Sequence, residues 1–200
     1  LEKLLYMLEE LQANYSQQER NPRGQTKEVR ETRMYYVKRK KLNSLSKEIS
    51  CLTTDQEIEL AALTIFLNKT CYNGLWRMNR NGEFNVPEGD YDSPTNICQE
   101  PILRTCQQHL ISASLSSLAW EDTFRHVRSG DLVYLDPPYM PLEINGTIFT
   151  TYFTDGFSRQ DQIQLARKSA QLAAKGARVI ASNHDALGEP TVREIYGKAA

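Results

Sequence analysis

Apolar positions in the first seventy residues fall into helical stripes. In the opening run LEKLLYMLEELQANY, Leu1, Leu4, Leu5, Leu8 and Leu11 share one face, predicting an amphipathic helix to about residue 18. Asn21-Pro22-Arg23-Gly24 reads as a loop, and helical spacing resumes over 28–49, with Val29, Met34, Tyr36, Val37, Leu42, Leu45 and Ile49 as apolar positions. Thr54 followed by Glu57 has the spacing of a helix-opening box. The run IELAALTIFLNKTCY behind it predicts a well-buried helix.

The pattern then breaks. Residues 73–92 carry Gly74, Gly82, Pro87, Gly89 and asparagines at 73, 79, 81 and 85, which predicts a long polar loop with a hairpin turn at Arg80-Asn81-Gly82. A helix follows at roughly 96–110. The run SSLAW reads as a strand, EDTFRHV as a helical turn, and Leu132–Leu135 as a strand covered on both faces. After an irregular stretch at 140–157, Ser158 caps a helix that Gly176 stops, and Ala177–Ser182 is a further strand. Strand, loop, helix, strand is the order of a parallel sheet, hence an α/β fold.

Both of these last strands end in polar chemistry. Leu132-Val-Tyr-Leu runs straight into Asp136-Pro137-Pro138-Tyr139, where two prolines forbid continuation of the ladder. Ser182-Asn183-His184-Asp185 closes the other strand. Ligands bind outside the carboxyl ends of parallel strands, so the two clusters mark the expected site.

Charge alters the picture only locally. The net charge is -1, yet nine basic residues stand between Arg20 and Lys41 (Arg20, Arg23, Lys27, Arg30, Arg33 and Lys38–Lys41) against Glu28 and Glu31. That excess suits either a phosphate-facing surface or a solvated helix face. Cys51, Cys71, Cys98 and Cys106 lack metal-site spacing, and His109, His126 and His184 are scattered, so no metal is expected and the thiols read as reduced, in a cytoplasmic protein. No apolar run approaches membrane-spanning length.

Three blocks in order, FLNKTCYNGLWRMNRNGEFNVPEG, GDLVYLDPPY and ASNHD, resemble those of a Dam-type DNA adenine-N6 methyltransferase, from about Tyr35 onward. The resemblance implies a partial Rossmann-like methyltransferase sheet over 111–200 and a mainly helical target-recognition region over 1–110, with a DNA-reading loop at 72–92. It implies S-adenosylmethionine as methyl donor and duplex DNA with a flipped adenine as partner, at GATC or a site containing GAT. Asp136 and the Pro137 carbonyl would accept hydrogen bonds from the adenine amine, with Pro138 completing the turn and Tyr139 stacking on the base. Ala119 and Trp120, with Asp136, would face the cofactor; ordinary core packing is the alternative for Trp120. Tyr72 and Asn73 would support the opened duplex, Arg77 would read guanine, and Leu75 and Pro87 would touch a thymine methyl. Asn79 and Asn85 match the same segment and would likewise contact the DNA, Asn85 with turn-holding as its alternative.

The departures are specific. No Gly-x-Gly occurs, so the family's glycine-rich cofactor loop is missing, and Asp90 beside Glu88 stands where many relatives are basic. The resemblance therefore implies an internal fragment, expected to expose apolar sheet surface and to need its missing parts for turnover. A DNA-binding fragment, or a relative that has lost methyl transfer, is the alternative. A methyltransferase acting on RNA or a protein amide ranks lowest, since such relatives often carry Asn at the position of Asp136.

Overall fold

The leucine stripe of the opening run becomes α1, Glu2–Ser16, with Leu5, Leu8 and Leu11 buried. In this computed structural model residues 1–18, 26–91, 96–139, 143–144, 147–148, 157–184 and 191–197 are described. They form two compact units, Leu1–Ser114 and Leu115–Ala200.

In the first unit, the helix expected over 28–49 is two: α2, Lys27–Thr32, and α3, Met34–Lys47. Arg33 separates them in an extended conformation (φ -66°, ψ 145°). The break leaves the Arg33 side chain in a bidentate pair with Glu88, at 2.7 and 2.9 Å. The next helix, α4, Thr54–Thr70, opens one residue earlier than expected. Its cap is Thr53, whose hydroxyl accepts from the Gln56 amide N–H while the Gln56 side chain returns to the Thr53 N–H. The fourth helix of the pattern starts later than expected: α5 is Glu100–Leu110. Gln12 of α1 holds the stretch before it, because its Oε1 accepts from the Ile97 and Cys98 N–H groups at 2.8 and 2.9 Å. Helices α1, α3 and α4 close around Leu8, Leu11, Tyr35, Leu42, Leu63, Phe66 and Leu67. Full burial of one such side chain contributes about 2–3 kcal/mol, so this cluster is the foundation on which the 72–91 segment rests.

The second unit begins without the strand expected at SSLAW. Residues 113–119 are irregular, with Leu115 and Leu118 exposed, and Ala119 caps the short helix α6, Trp120–Thr123. A strand needs a hydrogen-bonded neighbour, and among the described residues this run has none. Strands β1, Leu132–Leu135, and β4, Arg178–Ala181, pair in parallel, with Leu132 opposite Arg178 and Leu135 opposite Ala181. Between them lie a two-residue antiparallel pair, β2, Glu143–Ile144, with β3, Thr147–Ile148, and then α7, Arg159–Ala174. Ser158 caps α7 as expected, in a reciprocal box with Asp161. Gly176 ends it at φ +92°, where a Cβ would also run into Ser129. Helix α8, Val192–Gly197, follows. The expectation that β1 is covered on both faces fails: Leu132, Tyr134 and Ile180 are 62%, 63% and 54% exposed. The apolar sheet surface expected to be bare is bare.

Candidate DNA-reading hairpin and catalytic turn

In the first unit the polar 72–91 segment is an ordered hairpin, its base tied by Tyr72 N–H to Pro87 carbonyl and Gly89 N–H to Thr70 carbonyl, both 2.9 Å. Its tip is the turn Asn79-Arg80-Asn81-Gly82-Glu83, with Gly82 at φ +72°. Asn79 is spent on that turn: its Oδ1 accepts from the Asn81 and Glu83 N–H groups and its Nδ2 donates to Glu83. A direct DNA contact through that amide, one of the expectations above, competes with three intramolecular bonds.

The helices hold the hairpin through groups far away in sequence. The Asn43 side chain acts as a substitute strand, donating to the Phe84 carbonyl (3.1 Å) and accepting from the Phe84 N–H (2.8 Å). Tyr35 and Arg39 donate to the Val86 carbonyl at 2.9 and 3.0 Å. Glu88, buried, receives Arg33 and the Tyr15 hydroxyl, the latter at 3.0 Å. Burial, with the Glu88 charge second, pushes the Tyr15 phenol well above its ordinary value, and the bond to Glu88 holds the Arg33 guanidinium above its own. Trp76 stacks on Phe84 with ring centroids 4.4 Å apart, so it packs. None of the hydrogen bonds from the helices to the hairpin was identified from sequence; separations of 41–73 residues leave no local pattern to read.

What remains outward is a compact set. Tyr72 is 52% exposed, and Leu75, Arg77 and Pro87 are exposed beside it. Asn73 adopts the left-handed region (φ 53°, ψ 23°), alone among described non-glycine residues. Arg77 is held by one nitrogen: its Nε donates to Asn85 Oδ1 at 2.9 Å. Asn85 therefore does hold a neighbour, and its backbone N–H also donates to the Arg77 carbonyl. Four of the nine residues of the basic excess have partners among the described residues. Lys40 meets Glu31, Lys41 meets Glu59, and Arg33 and Arg39 serve the hairpin. This favours the solvated, paired helix face over a phosphate stripe at those positions. Arg20 and Arg23 lie outside the described residues.

In the second unit, β1 and β4 bring the two polar clusters together. Ser182 Oγ donates to Asp136 Oδ1 at 2.6 Å, and the Ser182 N–H donates to the Leu135 carbonyl at 2.9 Å. Asp136 is exposed, Pro137 and Pro138 are half-buried, and the Tyr139 ring meets His184 edge-on at 4.7 Å. Behind the turn, Gln162 Nε2 donates to the Pro138 carbonyl at 2.7 Å. Trp120, half-buried, packs edge-on against Phe124 at 5.3 Å, and the Ala119 carbonyl accepts from the Asp122 N–H to start α6. These two residues thus open a helix rather than close a strand. Asp185 lies outside the described residues.

The sequence comparison decides the family. The profile of the D12 class N6 adenine-specific DNA methyltransferases matches residues 3–199. The chain belongs to this family. It is 41% identical over 127 residues to the Type II methyltransferase M.MjaIII of Methanocaldococcus jannaschii, covering 64% of this chain and 43% of that protein. It is 38% identical over 149 residues to the DNA adenine methylase of Serratia marcescens (74% and 53%). It is 35% identical over 139 residues to that of Escherichia coli K12 (70% and 48%). The D12 chain spans about half the length of the curated relatives it matches. No described helix is long and apolar enough to cross a membrane.

Proposed function

We propose that the protein containing this chain transfers a methyl group from S-adenosylmethionine to the N6 amine of adenine in duplex DNA, at GATC or a site containing GAT. The observation that carries the reading is the exposed Asp136 carboxylate on a proline-proline turn at the carboxyl end of a parallel strand, fixed by Ser182.

An adenine amine is a weak nucleophile because its lone pair is shared with the ring. Acceptors on its two N–H bonds restore lone-pair character at nitrogen. Asp136 supplies one; with Oδ1 bound to Ser182, its Oδ2 has no protein donor among the described residues. The Pro137 carbonyl supplies the other, on a backbone whose φ the ring fixes. As the new N–C bond forms and the donor's methyl–sulfur bond breaks, the amine's surplus proton would pass to the Asp136 carboxylate and on to water. The Tyr139 ring is 41% exposed and perpendicular to the His184 ring that steadies it, which leaves ring surface for the base. The base must be extruded to reach it.

The exposed carboxylate of Asp136 and the ring of Trp120 suit a cationic amino acid and an adenine, so these residues, with Ala119, would hold the donor. When bound, S-adenosylmethionine supplies an electrophilic methyl on positively charged sulfur. Positioning then accounts for most of the protein's task. For sequence reading, Arg77 has both terminal nitrogens without an acceptor among the described residues beyond its Asn85 bond, a geometry that matches guanine O6 and N7. Leu75 and Pro87 offer apolar surface to a thymine methyl, while Tyr72 and Asn73 fill the gap left by the base.

The test is transfer of labelled methyl from S-adenosylmethionine to a duplex with one GATC, using the full-length protein and a scrambled duplex as control. Incorporation confined to GATC is expected. Equal incorporation into both removes the sequence assignment. None in either, with DNA still bound, removes methyl transfer and favours a DNA-binding relative without chemistry.

A further inference from the structure

Two consecutive prolines give the catalytic turn carbonyl acceptors but no N–H donor at 137 or 138. The turn can be anchored at these residues only through its oxygens, by donors from elsewhere. One oxygen is required for the adenine amine; the next, on Pro138, is taken by Gln162.

Gln162 is 1% exposed and sits in the first turns of α7. Both of its polar atoms are in use. Nε2 donates to the Pro138 carbonyl at 2.7 Å, and Oε1 accepts from Asn183 Nδ2 at 3.0 Å and from the Tyr196 hydroxyl at 2.8 Å. A leucine would fill similar space with no polar group to desolvate, so a buried amide at this position must be offset by its bonds. Those bonds join α7, the end of β4 and α8 to a single carbonyl. Burial holds the Tyr196 phenol above its ordinary value, so Tyr196 remains a donor at neutral pH.

We propose that Gln162 is a positioning residue for methyl transfer: by fixing the Pro138 carbonyl it sets the peptide plane leading to Tyr139, and with it the aim of the Pro137 carbonyl and the Tyr139 ring. This rests on the function proposed above. Gln162 touches no reacting atom and acts through the turn.

The test compares full-length wild type with Gln162→Leu and Gln162→Glu. An ionised glutamate keeps the acceptors for Asn183 and Tyr196 but has no proton for Pro138, whereas a protonated one restores the donor. Burial raises the pKa of such a carboxyl, which places the change within the working range. The expected kcat of Gln162→Glu is about tenfold below wild type near pH 9 and returns to within about threefold near pH 6, each ratio taken against wild type at the same pH. Gln162→Leu stays low at both, and KM for DNA and cofactor changes less than about twofold in either variant. A duplex with 2-aminopurine at the target position gives a second readout without turnover. The flipped base should be brighter in Gln162→Leu than in wild type, since looser stacking quenches it less. Wild-type kcat in Gln162→Leu, or a loss in Gln162→Glu that ignores pH, overturns this inference alone. Absence of methyl transfer by wild type overturns the function proposal, and this inference with it.

Discussion

A guanidinium tied by one nitrogen keeps two for a partner, and that is the condition of Arg77 beside Asn85. Lysine there keeps the charge and loses the fork. Arg77→Lys is expected to cut the preference for GATC over a scrambled duplex by about 10- to 100-fold, the 1–3 kcal/mol typical of a bidentate base contact. Non-specific binding at low salt should change little; an unchanged preference would contradict the assignment. Glu88 is a second residue whose task is fully visible in its partners. Glu88→Ala removes both Arg33 bonds to this carboxylate and the acceptor of the Tyr15 hydroxyl in a buried place, and is expected to destabilise the first unit by about 3–5 kcal/mol in denaturant titration. Sequence alone singled out Asp136, Tyr139 and Arg77, because each sits in a local motif. It did not single out Glu88, Asn43 or Gln162, whose importance lies in partners 21 to 73 residues away.

At the scale of elements, periodicity served well where one face is buried and poorly where a single residue sets a boundary. The α1 stripe and the Ser158 cap were legible from the sequence. The break at Arg33 was not, since apolar spacing continues across it and the Glu88 that Arg33 pairs with lies 55 residues away. SSLAW has strand composition but no strand beside it among the described residues, so propensity went unrewarded. The hairpin offers a sharp test of backbone against side chain at Asn73. Asn73→Gly accepts the left-handed conformation and should leave stability within about 0.5 kcal/mol, whereas Asn73→Val should cost about 1–2 kcal/mol. Both are expected to lose target-base opening, read by 2-aminopurine emission, if the Asn73 amide supports the opened duplex.

For the molecule as a whole, buried protonated groups set the alkaline limit. Burial pushes up the Cys71 thiol and the Tyr15 and Tyr35 phenols, so the folded state keeps protons that the unfolded chain releases. Their contribution is complete below the unfolded pKa values and is lost as pH rises toward the folded ones. Unfolding free energy should therefore decline above about pH 9; a flat profile between about pH 8 and 11 would contradict these burial assignments. The bare face of Leu132, Tyr134 and Ile180 has a separate consequence. The 200-residue chain by itself should bind a hydrophobic dye, and Leu132→Lys with Ile180→Lys should abolish most of that binding.

The central claim is that Asp136 accepts a hydrogen bond from the amine that becomes methylated. It is tested most directly by single-turnover methyl transfer to a GATC duplex by the full-length protein and its Asp136→Asn and Asp136→Ala variants. Duplex binding is measured on the same samples. Loss of at least about 100-fold in rate for both variants, with duplex affinity held within about threefold, is the predicted result. Asparagine offers a neutral acceptor in the same place, so a near wild-type rate for Asp136→Asn would show that the charge is dispensable. A near wild-type rate for Asp136→Ala would contradict the account.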